Sequence, residues 1–204
     1  VKRIVPVVLF LSALALAGCT ATDATQPTST STTAAAAAPT PTPAVVNGLP
    51  SSCDALYSPA LQKFVSPDGS LALNPAWKSG PGTVRTIENG YGSYDPDIAR
   101  MLSTNPGLLC DWAPPAGPSS LFLTTQVRHI DEATRDAALA RMNEIHAACA
   151  PYMGGDWCVI NAPDGNGALV GESQFFRDGV WLASDWYNAG PEMYTAELIK
   201  TMFG

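Results

Sequence analysis

The sequence predicts an α+β domain: an antiparallel sheet with helices packed mainly on one face, held by two disulfides. Three observations carry this. First, strand-length segments at 108–112, 121–129, 157–161, 168–177 and 180–187 are interrupted by one long amphipathic stretch, 131–149, and closed by another, 190–203. That order belongs to α+β folds. Second, Asp178-Gly179 separates the last two strands and has the composition of a two-residue type I′ hairpin turn. Third, Cys53, Cys110, Cys149 and Cys158 form an even set, the usual mark of two disulfides outside the cytoplasm. The closest two are nine positions apart, against a zinc site of the C-x-x-C kind.

The chain divides into three parts. Residues 1–18 have the layout of a secretory signal peptide: Lys2 and Arg3, then an apolar run from Ile4 to Ala17. That run is 14 residues and contains Pro6, whereas a membrane span needs about 20. Leu16-Ala17-Gly18-Cys19 resembles the lipobox of bacterial lipoproteins. The resemblance implies cleavage before Cys19 and a diacylglyceryl group, with acyl chains of the palmitate class, on its thiol. Two chains suffice for stable anchoring. Residues 19–48 are then a lipidated N-terminus and a disordered Thr/Ala/Pro tether, ending in the extended run Pro39-Thr40-Pro41-Thr42-Pro43. Residues 49–204 are left as one domain of about 155 residues, long enough to bury a core.

Taking that domain in order, Ser51 or Ser52 can cap a short helix at 53–56. Ser58-Pro59 reads as the cap and first turn of a second, with Leu61 and Phe64 on one face. Pro67-Asp68-Gly69 is a turn and Leu71–Leu73 a short strand. Residues 74–94 are mostly loop, with a strand at Val84–Ile87. Asp95-Pro96 opens a helix to about Ser103, with Ile98, Met101 and Leu102 inward. Leu121–His129 alternates as a strand should. The helix at 131–149 is capped by Asp131 and carries the stripe Ala138, Leu139, Met142, Ile145, Cys149. Gly190-Pro191 opens the last helix. The tight Gly154-Gly155 turn favours pairing Cys149 with Cys158 and hence Cys53 with Cys110.

Chemistry is sparse. The net charge is −7, more negative once Lys2 and Arg3 are removed, so a nucleic-acid partner is not expected. No G-x-S-x-G, H-E-x-x-H, Walker A or G-x-G-x-x-G motif occurs, and no catalytic residue, metal site or cofactor is implied. His129 and His146 stand where structural histidines do. Asp164-Gly165-Asn166-Gly167 begins like a calcium loop but has Phe175 where the bidentate glutamate belongs, so it reads as a turn.

One constellation remains. A two-residue turn at 178–179 sets Phe176 opposite Trp181, Gln174 opposite Ala183 and Glu172 opposite Asp185, with Tyr187 on the same face. Leu169, Phe175, Val180, Leu182 and Trp186 form the other, core-facing side. Glu172, Phe176, Trp181, Asp185 and Tyr187 are the candidate binding residues. Paired carboxylates can split their pKa values into acid and base, and aromatics beside them suit a sugar or a cation.

The lipobox, the tether, Ser52-Cys53-Asp54-Ala55-Leu56-Tyr57, Cys110-Asp111-Trp112 and Glu172-Ser173-Gln174-Phe175-Phe176 followed by Trp181 together resemble uncharacterised cell-envelope lipoproteins of actinobacteria. The resemblance implies a location, the outer face of the plasma membrane with the bilayer as partner through Cys19, and no activity. The expected function is therefore a tethered binding or accessory module for an envelope protein or glycan. The alternative is an envelope glycan hydrolase using Glu172 and Asp185.

Overall fold

The computed structural model describes residues 45–46, 48–79, 91–104, 107–163, 165–190 and 193–204. In chain order the elements are β1 (Val45–Val46), β2 (Leu49–Pro50), α1 (Cys53–Leu56), α2 (Pro59–Val65), β3 (Ala72–Leu73), α3 (Ala76–Ser79), α4 (Pro96–Thr104), β4 (Leu108–Ala113), β5 (Phe122–His129), α5 (Glu132–Glu144), β6 (Ala148–Tyr152), β7 (Gly155–Pro163), β8 (Leu169–Arg177), β9 (Val180–Tyr187) and α6 (Tyr194–Phe203). β1 and β2 pair with each other. The other seven strands form one antiparallel sheet in the order β3-β4-β5-β9-β8-β7-β6. This is the expected α+β class.

Local chemistry sets the helix starts. Ser52 accepts from Ala55 N, Ser58 from Leu61 N and Asp131 from Thr134 N, each satisfying an amide that the first turn leaves open. Asp95 does the same for Asp97 N and Ile98 N ahead of α4. The hairpin between β8 and β9 has the expected register, with Arg177 opposite Val180 and Glu172 opposite Asp185. Asp178 and Gly179 both adopt positive φ, 52° and 73°, as a type I′ turn requires. Both disulfides are the expected pairs, Cys53–Cys110 and Cys149–Cys158.

Three details differ from expectation. The helix expected to reach Cys149 stops at Glu144, and His146 takes φ 60° just beyond. Met153 and Gly154 (φ 44° and 78°) then reverse the chain, so that Cys149 lies in edge strand β6 directly opposite Cys158. Strand pairing overrides a helical stripe whose last member is separated from a continuing helix by Pro151. In α2 the buried pair is Leu61 and Val65, while Phe64 is 38% exposed, because four-residue spacing faces the sheet more squarely than three.

The third difference concerns the layers. Helices α1, α2 and α6 cover one face of the sheet, packing Leu56, Tyr57, Leu61 and Leu198 on Leu123, Val127, Phe175 and Leu182. Helices α4 and α5 cover the other, packing Ile98, Leu102, Ala138 and Met142 on Cys158, Phe176, Trp181 and Ala183. The helices are thus shared between two faces instead of lying mainly on one. The cause is in the central strands: Phe175 and Phe176, and Trp181 and Leu182, place bulky apolar groups on both sides of the same hairpin. The strand expected at Val84–Ile87 lies outside the described residues, and so does Asp164 of the 164–167 turn. Among the described residues no helix is long and apolar enough to cross a membrane.

Candidate functional site

The α4/α5 face carries the residues singled out from the sequence. Antiparallel register aligns Glu172 (β8), Asp185 (β9), Thr124 (β5) and Asp111 (β4) in one row across four strands. Phe176, Trp181, Glu172 and Asp185 are all buried, at 3% exposure or less, whereas Tyr187 is only partly covered. Phe176 and Trp181 rings lie 5.1 Å apart within the core. The candidate residues thus come together on one face, as expected, but four of the five are interior groups.

The polar contacts of this row are specific. Glu172 Oε2 accepts from Ser93 Oγ (2.8 Å) and from Tyr94 N (2.6 Å), holding the segment before α4 against the sheet. Asp111 accepts from Thr124 Oγ1 (3.0 Å) and Ser79 Oγ (2.9 Å), with Lys78 Nζ at 3.6 Å. Glu172 Oε1 and Asp185 Oδ1 are buried without a hydrogen-bond partner. Burial pushes the Asp185 carboxyl up to about 7; Lys78 pulls it down, while Glu172 and Asp111 push it further up. Burial also raises Glu172, against the pull of Tyr94 N–H and Ser93. Among the described residues no group of three or more His, Cys, Asp or Glu is placed to hold a metal ion.

Arg128 shares this face and escaped the sequence reading. It is fully buried, donates from Nη1 to Leu102 O, and lies 5.8 Å from the Trp181 ring. Burial lowers its guanidinium to about 10. Gln126 Nε2 donates to the same Leu102 carbonyl (3.3 Å), so both side chains satisfy the C-terminal end of α4.

The opposite face holds a cavity of about 410 Å³. Its floor includes Ser173 of β8, small beside Val159 of β7, which faces it, and flanked by the indoles of Trp157 and Trp186, which pair with Phe175 and Gly171. A Cβ on Gly171 would stand 2.4 Å from Trp186 Cζ2, so that indole lies against bare backbone. Trp157 is fixed by its Nε1–H to Ser173 Oγ (2.6 Å) and by the Tyr152 ring at 4.9 Å. Leu123 of β5 and the start of α6, Met193 and Tyr194, complete the walls. Met193 precedes the helix at φ 67° and supplies no side-chain cap. No charged side chain lines this cavity among the described residues.

The Tyr194 hydroxyl, at the cavity wall, belongs to a buried chain of hydroxyls. It bonds to Tyr57 OH and to Thr125 Oγ1 (2.6 Å), and Thr125 reaches Ser184 at 3.0 Å. Burial pushes the Tyr57 phenol up to about 12 and raises Tyr194 as well.

The cavity was missed because Leu169, Phe175, Leu182 and Trp186 read as a filled core face. The available signal was Ser173, a small polar residue on the face of β8 that reads as core.

Comparison of the chain with protein-family models, with curated proteins and with solved structures returns no match.

Proposed function

We propose that the protein is an extracytoplasmic lipoprotein, anchored in the outer face of the plasma membrane through Cys19, whose domain is a binding module for a small apolar ligand. The cavity on the α6 face carries the binding part of this reading. Pockets for small molecules are mostly apolar, hold about 300–1,000 Å³ and present a few polar groups; this one has about 410 Å³, two indoles and the Ser173 hydroxyl. Two disulfides suit an oxidising compartment.

Each part has its own test. Mass spectrometry of the N-terminus isolated from membranes should find Cys19 as the first residue with a diacylglyceryl mass; an unmodified Cys19 removes the anchor. The mature chain from residue 19, carrying Cys19→Ser so that no acyl group is attached, retains every described element. Titrated with the uncharged fluorophore N-phenyl-1-naphthylamine, it should show saturable one-site fluorescence enhancement. Folded protein with no saturable signal removes the binding module.

The second reading, a glycan hydrolase, rests on the opposed Glu172 and Asp185 and on their raised pKa values. Against it stands their burial at 2% and 3%, which keeps both from a polysaccharide in this conformation. Glu172→Gln protein assayed on wall glycans decides it: loss of a turnover shown by the parent supports the hydrolase, and equal turnover removes Glu172 from catalysis.

A further inference from the structure

We infer that the Cys149–Cys158 disulfide is a site of thiol–disulfide exchange: an external dithiol attacks Cys149 and reduces the bond while the domain stays folded. The two bridges of the domain differ in exposure. Cys53 is 7% exposed and Cys110 is fully buried, in the core with Leu56 and Trp112. Cys158 is fully buried too, but Cys149 is exposed. It lies in β6, the last strand of the seven, whose partner in the sheet is β7. A thiolate from solvent can approach this bridge at Cys149, whereas the other bridge is enclosed by the core.

The register leaves β6 in place when the bond opens. Hydrogen-bonded and non-hydrogen-bonded positions alternate along an antiparallel pair. Tyr152 and Gly155 flank the two-residue turn at Met153-Gly154, so they are a hydrogen-bonded pair, and so in turn are Ala150 with Trp157 and Ala148 with Val159. Cys149 with Cys158 and Pro151 with Asp156 occupy the positions between. Pro151 has no N–H to give, and the cysteine Cα atoms are 4.0 Å apart, the narrow spacing of such positions. The bridge thus carries none of the ladder that holds β6 to β7. Its span of 9 positions also constrains the unfolded chain less than the 57 of the other. Once released, Cys158 remains as a small apolar group beside Met142, Phe176 and Trp181.

The exchange balances. One thiolate of the donor attacks Cys149 Sγ, the accessible sulfur. The Sγ–Sγ bond breaks, and Cys158 leaves with the electron pair and takes up a proton. The donor's second thiol, as thiolate, attacks the donor sulfur of the mixed disulfide, and Cys149 leaves and is protonated in turn. The dithiol is oxidised to a disulfide, the bridge is reduced by the same two electrons, and the two protons are those the donor's thiols gave up.

The test uses the mature chain from residue 19 with Cys19→Ser, treated with dithiothreitol without denaturant, then alkylated and mapped by mass spectrometry. Cys149 and Cys158 should become open to alkylation about tenfold or more faster than Cys53 and Cys110, with the far-ultraviolet circular dichroism unchanged. In the same chain, Cys158→Ser leaves Cys149 free and Cys149→Ser leaves Cys158 free. Oxidised glutathione should form a mixed disulfide with Cys149 in the first variant and leave Cys158 unmodified in the second until denaturant is added. Equal rates for the two bridges, reduction only with loss of the dichroism signal, or a Cys158 that reacts as readily as Cys149 would each overturn the assignment.

Discussion

Glu172 and Asp185 face each other across β8 and β9, and each keeps one carboxylate oxygen in the interior without a hydrogen-bond partner. Like charges so placed oppose one another, and burial raises both groups. An unfolded aspartate titrates near 3.9, whereas Asp185 in the fold is pushed up to about 7. Between those values the folded chain keeps a proton that the unfolded chain has released. This group therefore makes stability fall as pH rises from about 4 to about 7, and the full penalty remains above 7. Asp185→Asn cannot ionise. It should be more stable than the parent at pH 8, by up to about 4 kcal/mol, and not at pH 4. Thermal unfolding at both values checks this; equal melting temperatures at pH 8 would refute it.

Gly171 is the position on which the seat of the Trp186 indole depends. Besides meeting Trp186 at 2.4 Å, a Cβ there would lie 2.7 Å from the Ile160 carbonyl oxygen, which is backbone and cannot swing aside. Gly171→Ala should cost about 1–3 kcal/mol, the range for overpacking. It should also shift the tryptophan emission, since the indole must leave its seat. Denaturant melts and emission spectra measure both.

The two disulfides should differ in weight. Cys53–Cys110 spans 57 positions and Cys149–Cys158 spans 9. Chain entropy gives about 4 kcal/mol for the first and about 2.7 kcal/mol for the second. Replacing Cys53 and Cys110 together by Ala should therefore lower the melting temperature more than replacing Cys149 and Cys158. Calorimetry of the two double variants reverses or upholds that order.

Asp95 joins two elements. It caps α4 and takes Arg141 of α5, with Nη2 at 2.7 Å and Nε at 3.1 Å. Burial pushes its carboxyl up, but Arg141 and the N–H groups of Ile98 and Asp97 outweigh that and hold it below the usual range. Its contribution is thus present above the ordinary aspartate pKa and is lost as pH falls through the lowered one. Asp95→Ala should cost about 2–3 kcal/mol at pH 7, and Asp95→Asn, which keeps the cap, about 1 kcal/mol less. Urea melts of the two variants should separate the cap from the ion pair; equal losses would assign everything to Arg141.

Tyr194→Phe removes the central hydroxyl of the Tyr57–Tyr194–Thr125–Ser184 chain and leaves buried partners unsatisfied. A loss of about 1–3 kcal/mol is expected. A Tyr194→Phe protein as stable as the parent would show that these hydroxyls re-pair without it.

Much of the architecture was legible because it is local. Ser58-Pro59, Asp95-Pro96 and Asp131 state where helices begin, since a first turn needs acceptors for its open amides. Asp178-Gly179 fixes the register of β8 and β9, and with it the pairing of Glu172 with Asp185, because side chains alternate strictly along a strand. The even set of domain cysteines predicted two disulfides and the Gly154-Gly155 turn favoured Cys149 with Cys158, but only the fold chose the pairing. Tertiary structure decided the rest. Only packing against the sheet chose Val65 over Phe64 as the buried partner of Leu61 in α2. Only pairing with β7 turned 148–149, the expected end of the helix, into strand. Periodicity shows that Glu172 and Phe176 share a face, but not that α4 and α5 cover it, since burial depends on segments distant in sequence. For the same reason the cavity could not be read from β8 alone: Ser173 leaves space only because Trp157, Leu123 and the start of α6, from three other elements, meet around it and do not fill it.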